Sequence, residues 1–372
     1  MSSVSLPGMS QITLQFVGGT RVTTAANDVA QAVGRIAGRS KAPAPPRPPS
    51  SSEAHATRSR KARDSTAAGA AGQGANGMGR TRQQKGALRV LVSAADMLRT
   101  ARREGFAIGA FNVNNLEFLR AIVEAAQAER APVILQVSEG AAAYMGFAES
   151  AAMCRAAAEA AKVPCALHLD HGSSLAAAVR CIRAGYSSVM IDSSKRPLDE
   201  NIRVTRSVLE VAHAVDVSVE AEIGRIGGTE DDLTVSEREA TLAVPAEVER
   251  FYAEAPVDAL AVAIGSAHGH YRGVPKLDFE RLRAIRDRVD VPLVLHGGSG
   301  IPDEAVRTAI GLGIAKVNVN TENQEAFAAE LRKLLAEDPD VYDPRKILAR
   351  PRDAAREMVR TKMRLFGASG KA

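Results

Sequence analysis

From residue 87 onward the chain repeats one alternation: a short β-rich apolar run, then a stretch with helical periodicity. The runs are 108–114, 132–139, 164–172, 187–194, 217–224, 259–269, 292–300 and 315–321. The helical stretches between them are 116–130, 148–162, 175–185, 198–214, 246–255, 279–289 and 303–311, with a last helical part starting near Glu322. Such runs, bounded by Gly and Pro, read as strands buried on both faces, as a parallel sheet requires. Eight βα units of this size predict an α/β fold, a (β/α)8 TIM barrel. A doubly wound open sheet is the alternative, but no GxGxxG fingerprint follows the first run. One helix precedes the first run, with Ser93 as its expected N-cap.

In a barrel the C-terminal strand ends share one face, and chemistry is built there. Every run ends in polar residues: Asn112 and Asn114, Ser138 and Glu139, Asp170 and His171, then Asp192. Glu220 and Glu222, His268, His296 and Ser299, and finally Asn318, Asn320 and Thr321 complete the series. The segment His168-Leu169-Asp170-His171-Gly172 places two histidines around a carboxylate at a strand end. The His-Gly step recurs at His268-Gly269 and His296-Gly297, where glycine permits close backbone approach to a ligand. Three histidines from three strand ends suit one catalytic zinc with a coordination position left for substrate. His168 alternates with Asp170 and reads as a core or supporting histidine, and His213 as a structural helix residue. His270 takes second place to His268 because only the latter carries the recurring His-Gly step.

LHGGSGIPDEAV is a glycine-rich turn feeding a helix, with Pro302 in the first turn. Backbone amides and the helix dipole suit a phosphate there. Thr321 and Gln324 have capping-box spacing at the next helix, and loops after strands seven and eight are the usual barrel phosphate site. Plain helix capping is the competing reading. The segment 224–232 is acidic and glycine-rich; it reads as a flexible loop able to carry a base, or simply as a solvated loop.

Residues 1–86 hold twelve Lys/Arg against three acids, a charge of +9 that leaves −4 for the rest of a chain whose formal total is +5. The basic pI is therefore no argument for nucleic-acid binding by the fold. Pro-rich, Ser/Arg-rich and Gly/Ala-rich stretches in 41–86 cannot bury enough apolar surface to offset chain entropy, so 1–86 is expected to be a disordered basic extension and 87–372 the folded domain. The same composition fits an organelle transit peptide (plastid or mitochondrion) or a solvated tail. Cys154, Cys165 and Cys181 form no CxxC pair, which favours a reducing, cytoplasmic setting. No apolar run is long enough for a membrane span.

The segments GAFNVNNLE, PVILQVSEGA, ALHLDHGSS, SVMIDSS, SVEAEIGRIGGTEDD, GSAHGHYRG, PLVLHGGSGIP, KVNVNTENQ and VYDPRK, in that order, resemble the class II, metal-dependent fructose-bisphosphate aldolases over about residues 90–372. The resemblance implies that His171, His268 and His296 hold a catalytic Zn2+ and that Asp170 is the acid/base at the C4 hydroxyl. It places a second divalent metal near Asp192 and Glu222, and is compatible with a monovalent cation. Gly269, Gly297, Gly298, Ser299, Asn318, Val319, Asn320 and Thr321 fall on its dihydroxyacetone-phosphate site. Asn112 joins the substrate contacts, Ser138 meets the glyceraldehyde-3-phosphate half, and Arg345 grips the distal phosphate. Glu230 aligns with a proton-abstracting loop position, although Thr229 stands where some members carry a second acid. A homo-oligomer, dimer or tetramer, is implied as well.

The expected reaction is reversible cleavage of fructose 1,6-bisphosphate, a step of glycolysis and gluconeogenesis. Tagatose 1,6-bisphosphate, which differs at one stereocentre, is the alternative substrate. A Schiff-base aldolase would need a desolvated lysine among the strand-end groups. Lys316 lies early in the eighth run and Lys195 beyond the fourth, so neither fits. A non-catalytic barrel with a nucleic-acid-binding tail would predict losses among the histidines and Asp170, yet all are present.

Overall fold

Strands covered by helices outside and by side chains inside must be apolar on both faces. β1 (Ile108–Asn112), β2 (Val133–Ser138), β4 (Ser188–Ile191) and β5 (Ser218–Ile223) are buried at every position. The computed structural model describes residues 91–372 apart from 231–232, 236–239 and 272, and describes 229–230 and 233–235 by backbone alone. The extension expected at 1–86 lies outside the described residues. The compact unit containing the described residues spans Thr81–Ala372.

With β3 (Cys165–Gly172), β8 (Ala259–Val262), β10 (Leu293–Leu295) and β11 (Ile314–Val319), those four strands close a parallel barrel in the order β1-β11-β10-β8-β5-β4-β3-β2. Each of the eight expected runs supplies one staple of that barrel. First and last strands meet directly, Ile108 opposite Lys316 and Phe111 opposite Val319, which leaves no exposed edge. Between strands run α2 (Leu116–Glu129), α5 (Leu175–Ala184), α6 (Leu198–His213), α7 (Pro245–Glu254), α8 (Phe279–Arg286) and α9 (Asp303–Gly311), close to the expected stretches. α1 (Ala94–Glu104) starts at Ser93, whose hydroxyl accepts from the Ala95 N–H, and stops at Gly105 in the left-handed region (φ 71°). Its Ala94, Ala95 and Leu98 floor the barrel beneath His168, Glu220 and Lys316.

Four local expectations are corrected. The second connection holds two helices, α3 (Glu139–Met145) and α4 (Phe147–Ala160), because Ser138 ends β2 and caps a new helix at once. The sixth run breaks after Val262, and His268 lies on a separate short strand, β9 (Ala267–His268). The acidic segment is not an irregular loop in its backbone: β6 (Gly227–Glu230) pairs antiparallel with β7 (Leu233–Val235) and parallel with β9. Thr321 is not a cap: α10 (Thr321–Glu337) has Asn320 at its N-cap position with no side-chain cap bond.

The last helix, α11 (Pro344–Leu365), packs back on α2. Phe118, Ala121 and Ala355 form a small satellite core with Phe327 stacked on Phe118. Arg360 and Arg364 grip Glu129 at the end of α2 with three hydrogen bonds, and Ser369 adds a fourth. Among the described residues no helix is long and apolar enough to cross a membrane.

Candidate active site and metal centre

Side chains alternate along a strand, so every second residue points into the barrel. On β3 this selects His168 and Asp170, on β5 Glu220 and Glu222, on β11 Lys316 and Asn318. Asp170 is fully buried, and both of its oxygens are engaged: Oδ2 accepts from Asn112 Nδ2 and Oδ1 from Asn318 Nδ2, each at 3.3 Å. Gln136 Nε2 in turn donates to Asn112 Oδ1 at 2.5 Å, fixing that amide's orientation. A carboxylate held by an amide on each oxygen keeps its direction, as an acid/base requires.

His171 follows Asp170 at a β-bulge. The β3–β4 register shifts between Leu169 and Gly172, and His171 takes φ 45°. A non-glycine residue in the left-handed region stores strain, here spent on turning the imidazole toward the barrel mouth. Gly172 permits the crossing: a Cβ there would meet the Met190 carbonyl at 2.4 Å. His171 Nδ1 hydrogen-bonds Asp192 Oδ2 at 2.9 Å, and Ser194 holds the other Asp192 oxygen through its N–H and hydroxyl. Burial alone would raise the Asp192 carboxyl, but the hydrogen bonds from His171 and Ser194 hold it well below the usual carboxylate range.

His268 and His296 complete a triangle. Ring centroids lie 5.1 Å apart for His171–His268, 4.8 Å for His171–His296 and 5.8 Å for His268–His296. One nitrogen from each lies within 4.8 Å of the others. His268 reaches the mouth through β9, not through a barrel strand. Gly228 lets β6 run against β9, since a Cβ there would sit 2.0 Å from the His268 carbonyl. His296 Nε2 bonds Glu220 Oε1 at 2.8 Å, while Nδ1 is a buried atom without a hydrogen-bond partner, 3.3 Å from Glu222 Oε2. Burial lowers its proton affinity, but the hydrogen bond to Glu220 and the nearby Glu222 carboxylate win and push it up to about 9. Three imidazoles converging, two of them backed by carboxylates on the far ring nitrogen, form the donor set that zinc takes in catalytic sites. Because the donors must be deprotonated, metal would displace protons here. His171, Asp192 and Glu222 form a second set of close donor atoms.

The turn after β10 is built for backbone contact. Gly297 (φ 63°) passes so close to β9 that a Cβ would meet the Ala267 carbonyl at 2.2 Å, and Gly298 N–H donates to the Asn318 carbonyl at 3.0 Å. Ser299 Oγ accepts the Glu322 N–H, and Glu322 Oε1 accepts the Gly300 N–H, tying this turn to the start of α10. Gly269 follows His268 directly, with φ 78°. Asn318, Val319, Asn320 and Thr321 carry the chain from β11 into α10, beside the same turn.

Not every expected residue joins this constellation. Ser138 is buried at the barrel mouth, and its hydroxyl caps α3 by accepting the Ala141 N–H. Glu230 lies on β6, but its side chain is outside the described residues. Arg345 is exposed at the start of α11, and its described bonds all go to Asp343. His168 is buried as expected, His213 pairs with Asp258, and His270 is exposed beside Glu325.

Sequence reasoning missed three participants. Tyr271 accepts the Ala267 N–H at 2.8 Å and donates to the Gly297 carbonyl at 2.9 Å, joining β9 to the glycine turn. Lys316 is fully buried yet committed to an ion pair with Glu220 at 2.7 Å, which disqualifies it as a Schiff-base nucleophile and gives Glu220 a partner. Lys362, from α11, pairs with Glu322 at 2.5 Å behind the turn. Lys316 and Lys362 look like ordinary charges in sequence; only long-range pairing explains their burial. The three cysteines are buried and free, their thiols pushed up to about 12 by burial, which makes them poor nucleophiles.

Residues 92–371 match the family described as fructose-bisphosphate aldolase class-II. A fructose-bisphosphate aldolase of Geobacillus stearothermophilus is 53% identical over 285 residues, covering 76% of this chain and 99% of the relative. One of Staphylococcus epidermidis is 48% identical over the same shares. Among solved structures, the YdjI aldolase from Escherichia coli K12 superposes with a TM-score of 0.68 at 34% identity, covering 76% of this chain and 99% of that one. With the barrel, the buried Asp170 and the three converging imidazoles in place, the chain belongs to the class II fructose-bisphosphate aldolase family.

Proposed function

We propose that this chain reversibly cleaves fructose 1,6-bisphosphate to dihydroxyacetone phosphate and glyceraldehyde 3-phosphate. The observation that carries the reading is the buried Asp170 carboxylate, fixed by two amides, next to the three-imidazole cluster. His171, His268 and His296 would hold a zinc ion, which would supply Lewis-acid polarisation of the substrate ketone. Asp170 takes the C4 hydroxyl proton as the C3–C4 bond breaks and returns it in condensation. Its paired amides, Asn112 and Asn318, spare it any reorientation cost at that moment. Gly269, Gly297, Gly298 and Ser299, with Asn318, Val319, Asn320 and Thr321, surround the phosphate of the dihydroxyacetone half, which the turn and the start of α10 bind through backbone N–H groups other than that of Gly298, already given to the Asn318 carbonyl. Glu230 exchanges the proton at the former C3 carbon. Ser138 meets the aldehyde half, and Arg345 takes the distal phosphate once freed from Asp343. Asp192 and Glu222, with His171, offer a second divalent position. The family alone extends the reading to a cytoplasmic homo-oligomer.

The test is turnover of fructose 1,6-bisphosphate and tagatose 1,6-bisphosphate in parallel by the purified full chain. Fructose selectivity supports the assignment. Tagatose selectivity would keep the mechanism and replace the substrate, and no turnover of either would refute the reading.

A further inference from the structure

Beneath the metal centre lies a layer of charged and polar side chains that the reaction itself does not use. Glu220 stands at its middle. Its Oε1 meets His296 Nε2 at 2.8 Å, and its Oε2 accepts from Lys316 Nζ at 2.7 Å. Lys316 Nζ also donates to His168 Nε2 at 3.3 Å, and His168 Nδ1 meets Ser188 Oγ at 2.8 Å. An ammonium can only donate, so His168 Nε2 accepts and Nδ1 carries the proton given to Ser188. The chain of bonds runs from β4 through β3, β11 and β5 to the residue after β10, and every side chain in it is at most 2% exposed. A buried ion pair is weak as a stabilising device, because desolvating both charges offsets their attraction and apolar residues of similar volume pack as well. The layer therefore needs another reason to exist.

We propose that Glu220, pinned by Lys316, is a positioning residue that presents His296 to the metal. A carboxylate bound at one oxygen alone can swing about its side-chain torsions. With Oε2 fixed on the lysine, Oε1 points at His296 Nε2 and accepts its N–H. The imidazole is thereby held in one tautomer and one ring orientation, with Nδ1 as the atom left for a ligand bond. Asp192 does the same for His171 from the opposite ring nitrogen, but it needs no buried cation because Ser194 holds its second oxygen. For Glu220 it is Lys316 that holds the second oxygen, in the role Ser194 plays for Asp192. His168 keeps the ammonium on station as a neutral acceptor.

This proposal rests on the three-histidine metal reading, and one experiment separates the two. Zinc affinity is measured by chelator competition for the full-length wild type, His268→Ala, Glu220→Gln, Lys316→Met and the Glu220→Gln/Lys316→Met double variant. KM and kcat follow at saturating zinc. Loss of an outer partner of a metal-bound histidine weakens metal binding about 10- to 100-fold, and that loss is expected for Glu220→Gln and Lys316→Met. The double variant should bind no more weakly than Glu220→Gln, because the lysine acts through the glutamate. Excess zinc should restore kcat with KM unchanged, a rescue that a merely damaged barrel would not show. The double variant removes both buried charges together, so it carries the test if either single variant fails to fold. Wild-type affinity in the folded variants, or losses that add in the double, overturns the proposal. A wild type indifferent to zinc, or His268→Ala binding like wild type, overturns the metal reading beneath it.

Discussion

Replacing Asp170 by Asn tests the acid/base assignment with almost no change of volume. Both oxygens of Asp170 accept from amide NH2 groups, Asn112 on one side and Asn318 on the other. An amide at 170 can satisfy only one of them; its own NH2 must face the other, leaving a buried donor against a donor. That mismatch costs about 1–3 kcal/mol of stability. The chemistry should suffer more. General acid/base catalysis contributes about 10²–10⁴-fold, so kcat should drop by that factor, or roughly 2.7–5.5 kcal/mol of barrel-independent barrier. The assay pairs steady-state cleavage of fructose 1,6-bisphosphate with deuterium exchange into dihydroxyacetone phosphate in D2O. Cleavage should collapse while exchange and zinc content survive, because in the proposed mechanism exchange uses Glu230 and not the C4 proton acceptor. Cleavage within about threefold of wild type would refute the assignment.

Tyr271→Phe removes one hydroxyl that serves two backbone groups, Ala267 N–H and Gly297 C=O. A stability loss of about 1–3 kcal/mol in thermal unfolding is expected, with a several-fold rise in KM as the glycine turn loosens; unchanged Tm and KM would contradict it. Glu129 is held at about 2, below its ordinary 4.5, by the Arg364 hydrogen bond first and by Arg360 and Ser369 against a burial penalty. Its folded value is depressed, so its stabilisation is complete above about pH 4.5 and lost as pH falls toward 2. The full shift would amount to roughly 3 kcal/mol, which solvent screening at those guanidiniums reduces to about 1–2 kcal/mol. Glu129→Gln should therefore destabilise at pH 7 and converge with wild type in acid; a gap independent of pH would sink the explanation.

The barrel was legible because parallel strands are apolar on both faces and each is fenced by Gly or Pro. That signal is local, and β1, β2, β3 and β5 lie within a residue or two of where it puts them. β9 was not legible, because Ala267 and His268 extend only by pairing with Gly227 and Gly228 some 40 positions away. The β6–β7 hairpin hides for a different reason: its own pairing is local, but its glycines and acidic residues argue against a strand, and only the parallel pairing of β6 with β9 is long-range. In the site, His171, His268, His296 and Asp170 announce themselves through composition at strand ends. Lys316 does not, because a lysine within a strand looks like a misplaced surface residue until Glu220 is seen 2.7 Å away. Thr321 shows the opposite error: capping-box spacing was present, but β11 delivers the chain so that Asn320 takes the N-cap position and Ser299 receives the Glu322 N–H.

The proposed cleavage of a sugar bisphosphate depends on zinc held by three histidines. That dependence is tested most directly by stripping the purified full-length protein with a chelator, then titrating zinc while recording cleavage of fructose 1,6-bisphosphate. Activity should vanish with the metal and return in proportion to zinc bound, and His268→Ala should not recover under the same titration. Full turnover by thoroughly metal-free protein would overturn the three-histidine metal site and the proposed mechanism with it.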